Sequence, residues 1–492
     1  MDSTTTAERG AHTTAKSACD IDDWEDLKDL FQKATEQYEQ DDDAEAAPLL
    51  RGVIHECHRF LLHYHDPSVL FLAPYPPSPD DDEGLPFWSP FHGPAPIGPP
   101  QEQKPKCKCR ELPTAFHSIL GSTLFLFGNL VSRAPDLVLP GEPSEPLPYW
   151  LAALDVFETG ENLPWRTSSS LVDTDAPEDW RMALAWGRTL VCIADEALAG
   201  SRAFAPEPRW SPSSPFATIA ARRPPVTQRM TLSSASPHDL LILAMDQFSR
   251  GIFHMPHPAH AMSIPPSATA VANAGGNNAL QRLHPMPAPF SRAKELYTLA
   301  YEVLLVAEKL SAPRERQYWA AWADSVLNQM KMEADMASWR VRIARGRGRC
   351  WLAVGNARVD DMEVRWEGPG DFGALVEAGD PTLLESTAAR DARTALRTAV
   401  DYFERALALG SREEGEDHVV DGTEADGTAR TGAYNEELAE IRSMLAEALM
   451  MLGNLIMNTA ERERMYARAI EEGGDEVRQL LELDSDDHMD TS

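Results

Sequence analysis

Residues 350–357 read CWLAVGNA and residues 399–406 read AVDYFERA, and these two short stretches decide the fold. In the first, Trp351, Val354 and Gly355 step by three and one, which puts them on one face of a helix and sets a glycine where a second helix can come close. In the second, Ala399, Phe403 and Ala406 step by four and three, a stripe of one large residue between two small ones. The two read as the facing helices of one hairpin. Between them runs DDMEVRWEGPGDFGALVEAGDPTLLES, residues 360–386, far longer than an ordinary turn.

The same hydrophobic-glycine pairing recurs at Phe127-Gly128, Trp186-Gly187 and Leu452-Gly453, and Tyr466 with Ala469 closes a last unit. Trp351, Val354 and Gly355 match the W-x-x-L-G opening of a tetratricopeptide helix, and Ala399, Phe403 and Ala406 match its A-x-x-x-F-x-x-A partner. Helical periodicity marks further segments near 20–38, 53–64, 114–133, 149–159, 178–199, 238–249, 291–311, 314–334, 336–358, 386–409, 434–458 and 460–482. No window carries a sustained alternation of β-branched residues, so the expected fold is all-α: tetratricopeptide-like helical hairpins stacked as an irregular solenoid. The array is expected over 20–482, after a disordered 1–19 and before an acidic tail at 483–492. Pro-rich and acidic inserts near 73–113, 201–237, 255–290 and 411–433 are expected to be disordered.

Composition narrows the function. Lys and Arg number 45 against 77 Asp and Glu, a formal net charge of -32. Such a surface repels phosphate backbones and anionic lipids, which argues against direct nucleic-acid or membrane binding and for a basic protein partner. Six cysteines are spread thinly and the N-terminus MDSTTTAERGAHTTAKS carries no apolar core, so an intracellular, reduced protein is expected. The longest apolar run, Ile119 to Val131, falls short of a bilayer span and reads as a buried helix.

The chemistry-bearing motifs are weak. GVIHECHRFLLHYHD, residues 52–66, holds four histidines, a glutamate and a cysteine. On a helix His55 and His58 share a face while Cys57 points elsewhere, and the i, i+3 spacing is not that of a zinc-protease helix. Cys107 and Cys109 have no second pair at zinc-ribbon spacing, and the H-x-D of His488 and Asp490 has no later histidine. No phosphate loop or nucleophile elbow occurs in strand-turn-helix context. The expectation is no catalytic residue, no cofactor and no metal. An enzyme assembled from His55, His58, His117 and Glu56 is the rival reading from the catalytic class. The run Arg340, Arg342, Arg345, Arg347 and Arg349 is expected to line a helix face and pair with neighbouring carboxylates.

DDWEDLKDLFQKATEQY, residues 22–38, followed by LLRGVIHECHRFLL, residues 49–62, resembles the N-terminal signature of the fungal enhancers of translation termination, also called negative regulators of the oxygen-sensing prolyl-hydroxylase-like dioxygenase. Gly52, Val53, Ile54, His55, Glu56, Cys57, Arg59 and Leu61 fit the motif helix, and His58 stands where the family carries an acid. AFHSILGSTLFLFG, residues 115–128, is similar to the helix that follows. The resemblance implies a non-enzymatic nuclear regulator, shuttling with the cytoplasm, required for correct translation termination and involved in hypoxic gene expression. It implies an acidic adaptor for a 2-oxoglutarate- and iron-dependent prolyl-hydroxylase-like dioxygenase and its basic small-subunit ribosomal protein substrate, with a nuclear import receptor as a further partner. Family members open with a lysine- and arginine-rich segment that this N-terminus does not carry. The motif residues Asp22, Asp23, Trp24, Gly52, His55, Glu56, Cys57 and Arg59 become the candidate partner surface. An acid at the place of His58 removes a shared His55/His58 metal pair, leaving Glu56 to pair with Arg59 and His55 and Cys57 to pack at a helix contact. The alternative is a generic tetratricopeptide co-chaperone or scaffold, which needs a lysine- and arginine-lined concave face.

Overall fold

The computed structural model describes residues 19–70, 111–163, 178–199, 214–221, 235–256, 290–333, 336–366, 371–377, 379–417 and 427–486. Every regular element among them is helical. The chain divides into two compact units: Met1–Trp186 with Ala205–Val226 and Asn273–Pro287, and Gly187–Phe204 with Thr227–Ala272 and Ala288–Ser492.

The first unit begins with α1 (Ile21–Glu39) and α2 (Asp43–His63), a hairpin whose second helix packs on α3 (Ala115–Arg133), which in turn packs on α4 (Leu147–Glu161). Asp20 caps α1 by accepting from the backbone of Asp22 and Asp23, and Asp23 returns the bond to the Asp20 N–H. One face of α1 packs: Trp24, Leu27 and Ala34 are buried, Phe31 and Tyr38 half-buried, at steps of three and four. Trp24 meets Phe60 and Phe116 at ring distances of 6.5 Å each, and Phe60 lies 6.1 Å from Phe116. These three rings, one from each of α1, α2 and α3, form the centre of the hairpin core.

α2 starts ten residues earlier than its periodicity predicts. Pro48 suggests a break, but it stands at the sixth residue of the helix, where it removes one i→i−4 bond without ending the helix, and Asp42 caps the true N-terminus through the Glu45 N–H. α3 is long and apolar enough to cross a membrane by length and composition. Here Phe116, Leu120, Leu124, Phe125, Phe127, Leu130 and Val131 are buried against neighbouring helices, as expected of a core element.

α5 (Trp180–Leu198) carries the boundary between the units. A short α6 (Pro215–Ala221) belongs to the first and packs on α2 and α4. It stands inside the 201–237 tract that composition marks as an insert, because Phe216 reaches Tyr149 in the core at a ring distance of 5.3 Å. The second unit continues with α7 (Pro237–His254), α8 (Arg292–Lys309), α9 (Pro313–Gln329), α10 (Arg340–Val364), the short α11 (Phe372–Glu377) and α12 (Pro381–Leu384), α13 (Thr387–Asp417), α14 (Gly427–Asn454) and α15 (Thr459–Asp486). Each of the long helices from α8 on packs on its neighbour in the chain order α8, α9, α10, α13, α14, α15. That nearest-neighbour packing is the pattern of stacked helical hairpins.

The inserts are shorter than expected where they can be seen. α13 extends to Asp417 and α14 begins at Gly427, so helix runs into both ends of the 411–433 segment, and α15 runs on to Asp486 beyond the expected tail boundary. The expectations for 1–18, 73–110, 201–213, 222–234, 257–289, 418–426 and 487–492 fall outside the described residues.

The CWLAVGNA stretch sits at the centre of the second unit, on α10, where two glycines act as notches. A Cβ on Gly348 would lie 2.6 Å from the Phe403 ring, and one on Gly355 2.6 Å from Leu396. Phe403 and Leu396 are seven residues apart on α13, and their notches are seven apart on α10 in the opposite order. The two helices are therefore antiparallel and locked at two points. The glycines of the other three hydrophobic-glycine pairs also sit at close approaches: Gly128 to Trp150, Gly187 to Phe248 and Gly453 to Tyr466.

Candidate partner-binding surfaces

The N-terminal motif folds into a contact between helices. Arg59 on α2 donates from Nε to Glu56 at 2.8 Å and from Nη2 to Asp23 on α1 at 2.7 Å, so the expected Glu56–Arg59 pair exists and gains a third member. Cys57 and Trp24 are fully buried, Cys57 with its thiol pushed well above its ordinary pKa by burial and then by the Glu56 charge. Gly52 faces Leu30, whose nearest atom would stand 3.4 Å from an added Cβ, an ordinary contact. His58 meets the Thr218 hydroxyl on α6 at 2.8 Å. His55 and Asp22 are exposed, so His55 does not pack as expected.

Of the eight candidate residues, Asp23, Trp24, Cys57 and Arg59 thus work inside the hairpin, while Asp22 and His55 are exposed. His117, the further member of the rival catalytic set, is buried in α3 beside Phe116. Among the described residues no three His, Cys, Asp or Glu side chains come together in a metal-holding group. Cys19, Cys57 and Cys350 are free thiols. Cys107, Cys109, His488 and Asp490 lie outside the described residues.

Three of the five arginines expected to line one face of α10 pair with carboxylates, but on three different helices rather than from one face. Arg345 pairs with Glu437 at 3.2 Å and Glu440 at 3.1 Å on α14, Arg347 with Asp324 at 2.6 Å on α9, and Arg349 with Glu308 at 2.6 Å on α8. Arg342 is exposed over the Trp339 ring, and Arg340 is exposed.

The Arg345 and Arg349 pairs line a cleft in the second unit that the spacing of residues alone does not assemble. α10 has three working stripes. Gly348 and Gly355 face α13, Ile343 and Cys350 join the core with α8 and α9, and Arg342, Arg345, Arg349, Leu352 and Asn356 face the cleft. The opposite wall is α14, with Glu436, Glu440 and Glu447 at spacings of four and seven, one face of a helix. That acidic stripe is legible in the sequence; its partner wall is not, because it comes from helices far away in the chain.

Along the cleft from Arg345 to Asn356 the charges do not cancel. Arg349 is satisfied by Glu308, and Arg316 by Asp360 at 2.7 Å. Arg345 alone serves both Glu437 and Glu440. Among the described residues Glu447 has only a neutral partner, the Asn356 amide, which donates to it at 3.3 Å. The lining thus holds five carboxylates, Glu308, Glu436, Glu437, Glu440 and Glu447, against four guanidiniums, Arg316, Arg342, Arg345 and Arg349, an excess of one negative charge. Glu447 is exposed as a residue, but its carboxyl end lines the cleft. Its pKa is raised by burial first, with Glu308 adding, against the Asn356 hydrogen bond and Arg349. The other end of the Asn356 amide, Oδ1, is buried without a donor.

Comparison with known proteins adds little to this geometry. No protein-family model matches the chain, and no curated protein matches it. Among solved structures it is similar to the S. pombe nuclear import adaptor Nro1 in a P6522 crystal form, with a TM-score of 0.43, 14% identity and coverage of 96% of this chain and 100% of that one. In the P21 form the TM-score is 0.41 at 14% identity, covering 94% and 99%. A third structure, described as the hypoxic regulator of sterol synthesis Nro1 and a nuclear import adaptor, gives 0.41 and 14% over 92% and 87%. Overlap at this level fixes no function for this chain.

Proposed function

We propose that this protein is a non-enzymatic nuclear regulator, required for correct translation termination and involved in hypoxic gene expression. It acts as an acidic helical adaptor for a prolyl-hydroxylase-like dioxygenase and that enzyme's basic small-subunit ribosomal protein substrate. The observation that carries the reading is the charge: -32 over the chain, with carboxylates left in excess along a helical cleft. A surface of this kind shields a basic protein and speeds its capture by long-range attraction. The choice of partners, the nuclear location, shuttling with the cytoplasm, and a role for an import receptor rest on the resemblance of residues 22–62 to the termination-enhancer signature. The co-chaperone alternative asks for several free cations together, and of the arginines of the cleft Arg316, Arg345 and Arg349 are each held by a carboxylate, leaving Arg342 over the Trp339 ring.

The test is affinity purification of the tagged protein from nuclear extract at low and at moderate salt, with the bound proteins identified by mass spectrometry. Recovery of a prolyl-hydroxylase-like dioxygenase together with a basic ribosomal protein, the latter fading as salt rises, is the expected result, since screening shortens electrostatic reach to about 10 Å at 0.1 M. Recovery of chaperones alone, or a ribosomal protein indifferent to ionic strength, overturns it.

A further inference from the structure

α6 (Pro215–Ala221) has the dimensions of a bound peptide. At seven residues it is well below the length of about 12–15 at which a helix persists alone in water, so its helical form depends on its seat. That seat is the surface made by α2 and α4. Pro215 and Phe216 are buried there, with the Phe216 ring edge-on to Tyr149 of α4 at 5.3 Å and Tyr149 backed by Phe127 of α3 at 5.0 Å. The Thr218 hydroxyl lies 2.8 Å from His58 Nε2 on α2. α5 ends at Leu198 and α7 begins at Pro237, so residues 199–214 and 222–236 tether α6 on its two sides. A run of about fifteen residues extends to about 50 Å, so chain length does not oblige α6 to stay seated.

The seat is longer than its occupant. On α2, His55, His58 and Leu62 fall at steps of three and four, one stripe of the helix. His58 is half-buried at the Thr218 contact, whereas His55 is exposed and Leu62 is 67% exposed. An apolar side chain bared one turn beyond an occupied position leaves the same stripe open to a longer segment.

We propose that α6 is a displaceable occupant of a peptide-binding groove in the first unit, and that the groove receives a short amphipathic helix of a partner protein. The partner helix seats an aromatic ring on Tyr149 and a hydrogen-bonding side chain on His58, and continues over Leu62. Its chemistry follows from the segment seated there in cis, an aromatic residue followed two positions later by a hydroxyl. Because the groove carries His55 and His58 of the motif helix, α6 and the partner compete for one face, and α6 keeps that face closed until a tighter ligand takes it. This holds whichever partner supplies the helix.

The experiment uses the full-length protein and two fluorescein-labelled peptides: residues 212–223, PSSPFATIAARR, and the same peptide with Phe216→Ala. Fluorescence anisotropy is followed for the unmodified protein and for Phe216→Ala/Thr218→Ala, which loosens α6 without altering α2 or α4, and a thermal melt verifies that the variant is folded. A tethered occupant stands at a millimolar effective concentration, so loosening it is expected to tighten binding of the first peptide by about tenfold or more. The second peptide, equal in charge, is expected to bind the variant about tenfold more weakly than the first, since it lacks the anchoring ring. Equal binding of the two peptides, equal binding of the first peptide to the two proteins, or no binding at all overturns the groove.

Hydrogen exchange of the unmodified protein supplies a second measurement that needs no variant. The α6 amides are expected to exchange about a hundredfold faster than those of α2 and α4, at a rate that urea below the unfolding transition leaves unchanged, because α6 opens by itself. Exchange of α6 in step with α2 and α4 makes it a fixed core element and overturns the proposal.

Discussion

Asp23 uses both oxygens of one carboxylate: Oδ2 closes the capping box on the Asp20 N–H at 3.0 Å, and Oδ1 receives Arg59 at 2.7 Å. Its neighbour Asp22 is exposed. Asp23→Ala therefore costs about 1–2 kcal/mol, most of it from the lost cap, because the ion pair is about a third exposed and screened by solvent. Asp22→Ala costs at most about 0.5 kcal/mol. Urea unfolding followed by circular dichroism separates the two, and equal costs refute the division of labour. A charge reversal meant to probe partner binding on α1 belongs at Asp22. The buried thiols give a second expectation. Burial raises the Cys57 and Cys350 pKa above the ordinary value of 9.0, so in the folded protein both stay protonated where an unfolded chain has begun to ionise. Their contribution to stability is intact below pH 9.0 and is lost as pH rises beyond it, because the unfolded state then releases protons that the folded state keeps. Native protein at pH 8 leaves both unlabelled by a thiol reagent, and rapid labelling of either contradicts their burial.

At the scale of elements, the hairpin of α10 and α13 depends on an absent atom. Gly348→Ala puts a methyl 2.6 Å from a Phe403 ring that is itself fully buried and has nowhere to move. Overpacking of this kind costs about 1–3 kcal/mol, against about 1 kcal/mol gained in helix propensity, so net destabilisation of up to about 2 kcal/mol is expected. Adding Phe403→Leu recovers part of it. Strict additivity of the two changes, measured by chemical unfolding, is the outcome that defeats the notch account. This hairpin is readable in Trp351, Gly355, Ala399 and Phe403 because close helix packing writes small and large residues at fixed spacings. The start of α2 is not readable, since Pro48 breaks the pattern without breaking the helix. The cleft is half readable: Glu436, Glu440 and Glu447 fall on one face of a predicted helix, whereas Asn356, Arg316 and Glu308 reach it only through tertiary packing.

For the molecule as a whole the dominant number is the net charge of -32. Like charges spread over a folded surface repel, and folding concentrates them, so the compact state carries a cost that added salt relieves. Opposing this, salt weakens the exposed ion pairs such as Lys309–Asp195, each worth less than about 1 kcal/mol, and has less effect on those closed in between helices such as Arg347–Asp324. At this net charge the relief of repulsion outweighs the weakening of the pairs. The unfolding temperature is therefore expected to rise on going from about 20 to about 200 mM sodium chloride, where screening tightens to less than the Debye length of about 10 Å at 0.1 M. A fall in a calorimetric scan reverses that ranking and makes the interhelical ion pairs the greater contribution.

Because Gly348 and Gly355 are seven residues apart and take teeth seven residues apart on α13, α10 and α13 have a fixed axial register set entirely by their own faces. The connection between Val364 and Thr387 is relieved of any duty as a ruler. Its length is free to drift over evolution, since doubling a loop costs only about 0.6 kcal/mol in closure entropy. A graft of six glycine and serine residues after Trp366 is expected to leave the melting temperature within about 2 °C, where the same graft in a hairpin timed by its turn would throw the pairing out of phase. The long insert that interrupts the repeat signature is thus a spare harbour in the chain, a place where new sequence can be moored without disturbing the hull.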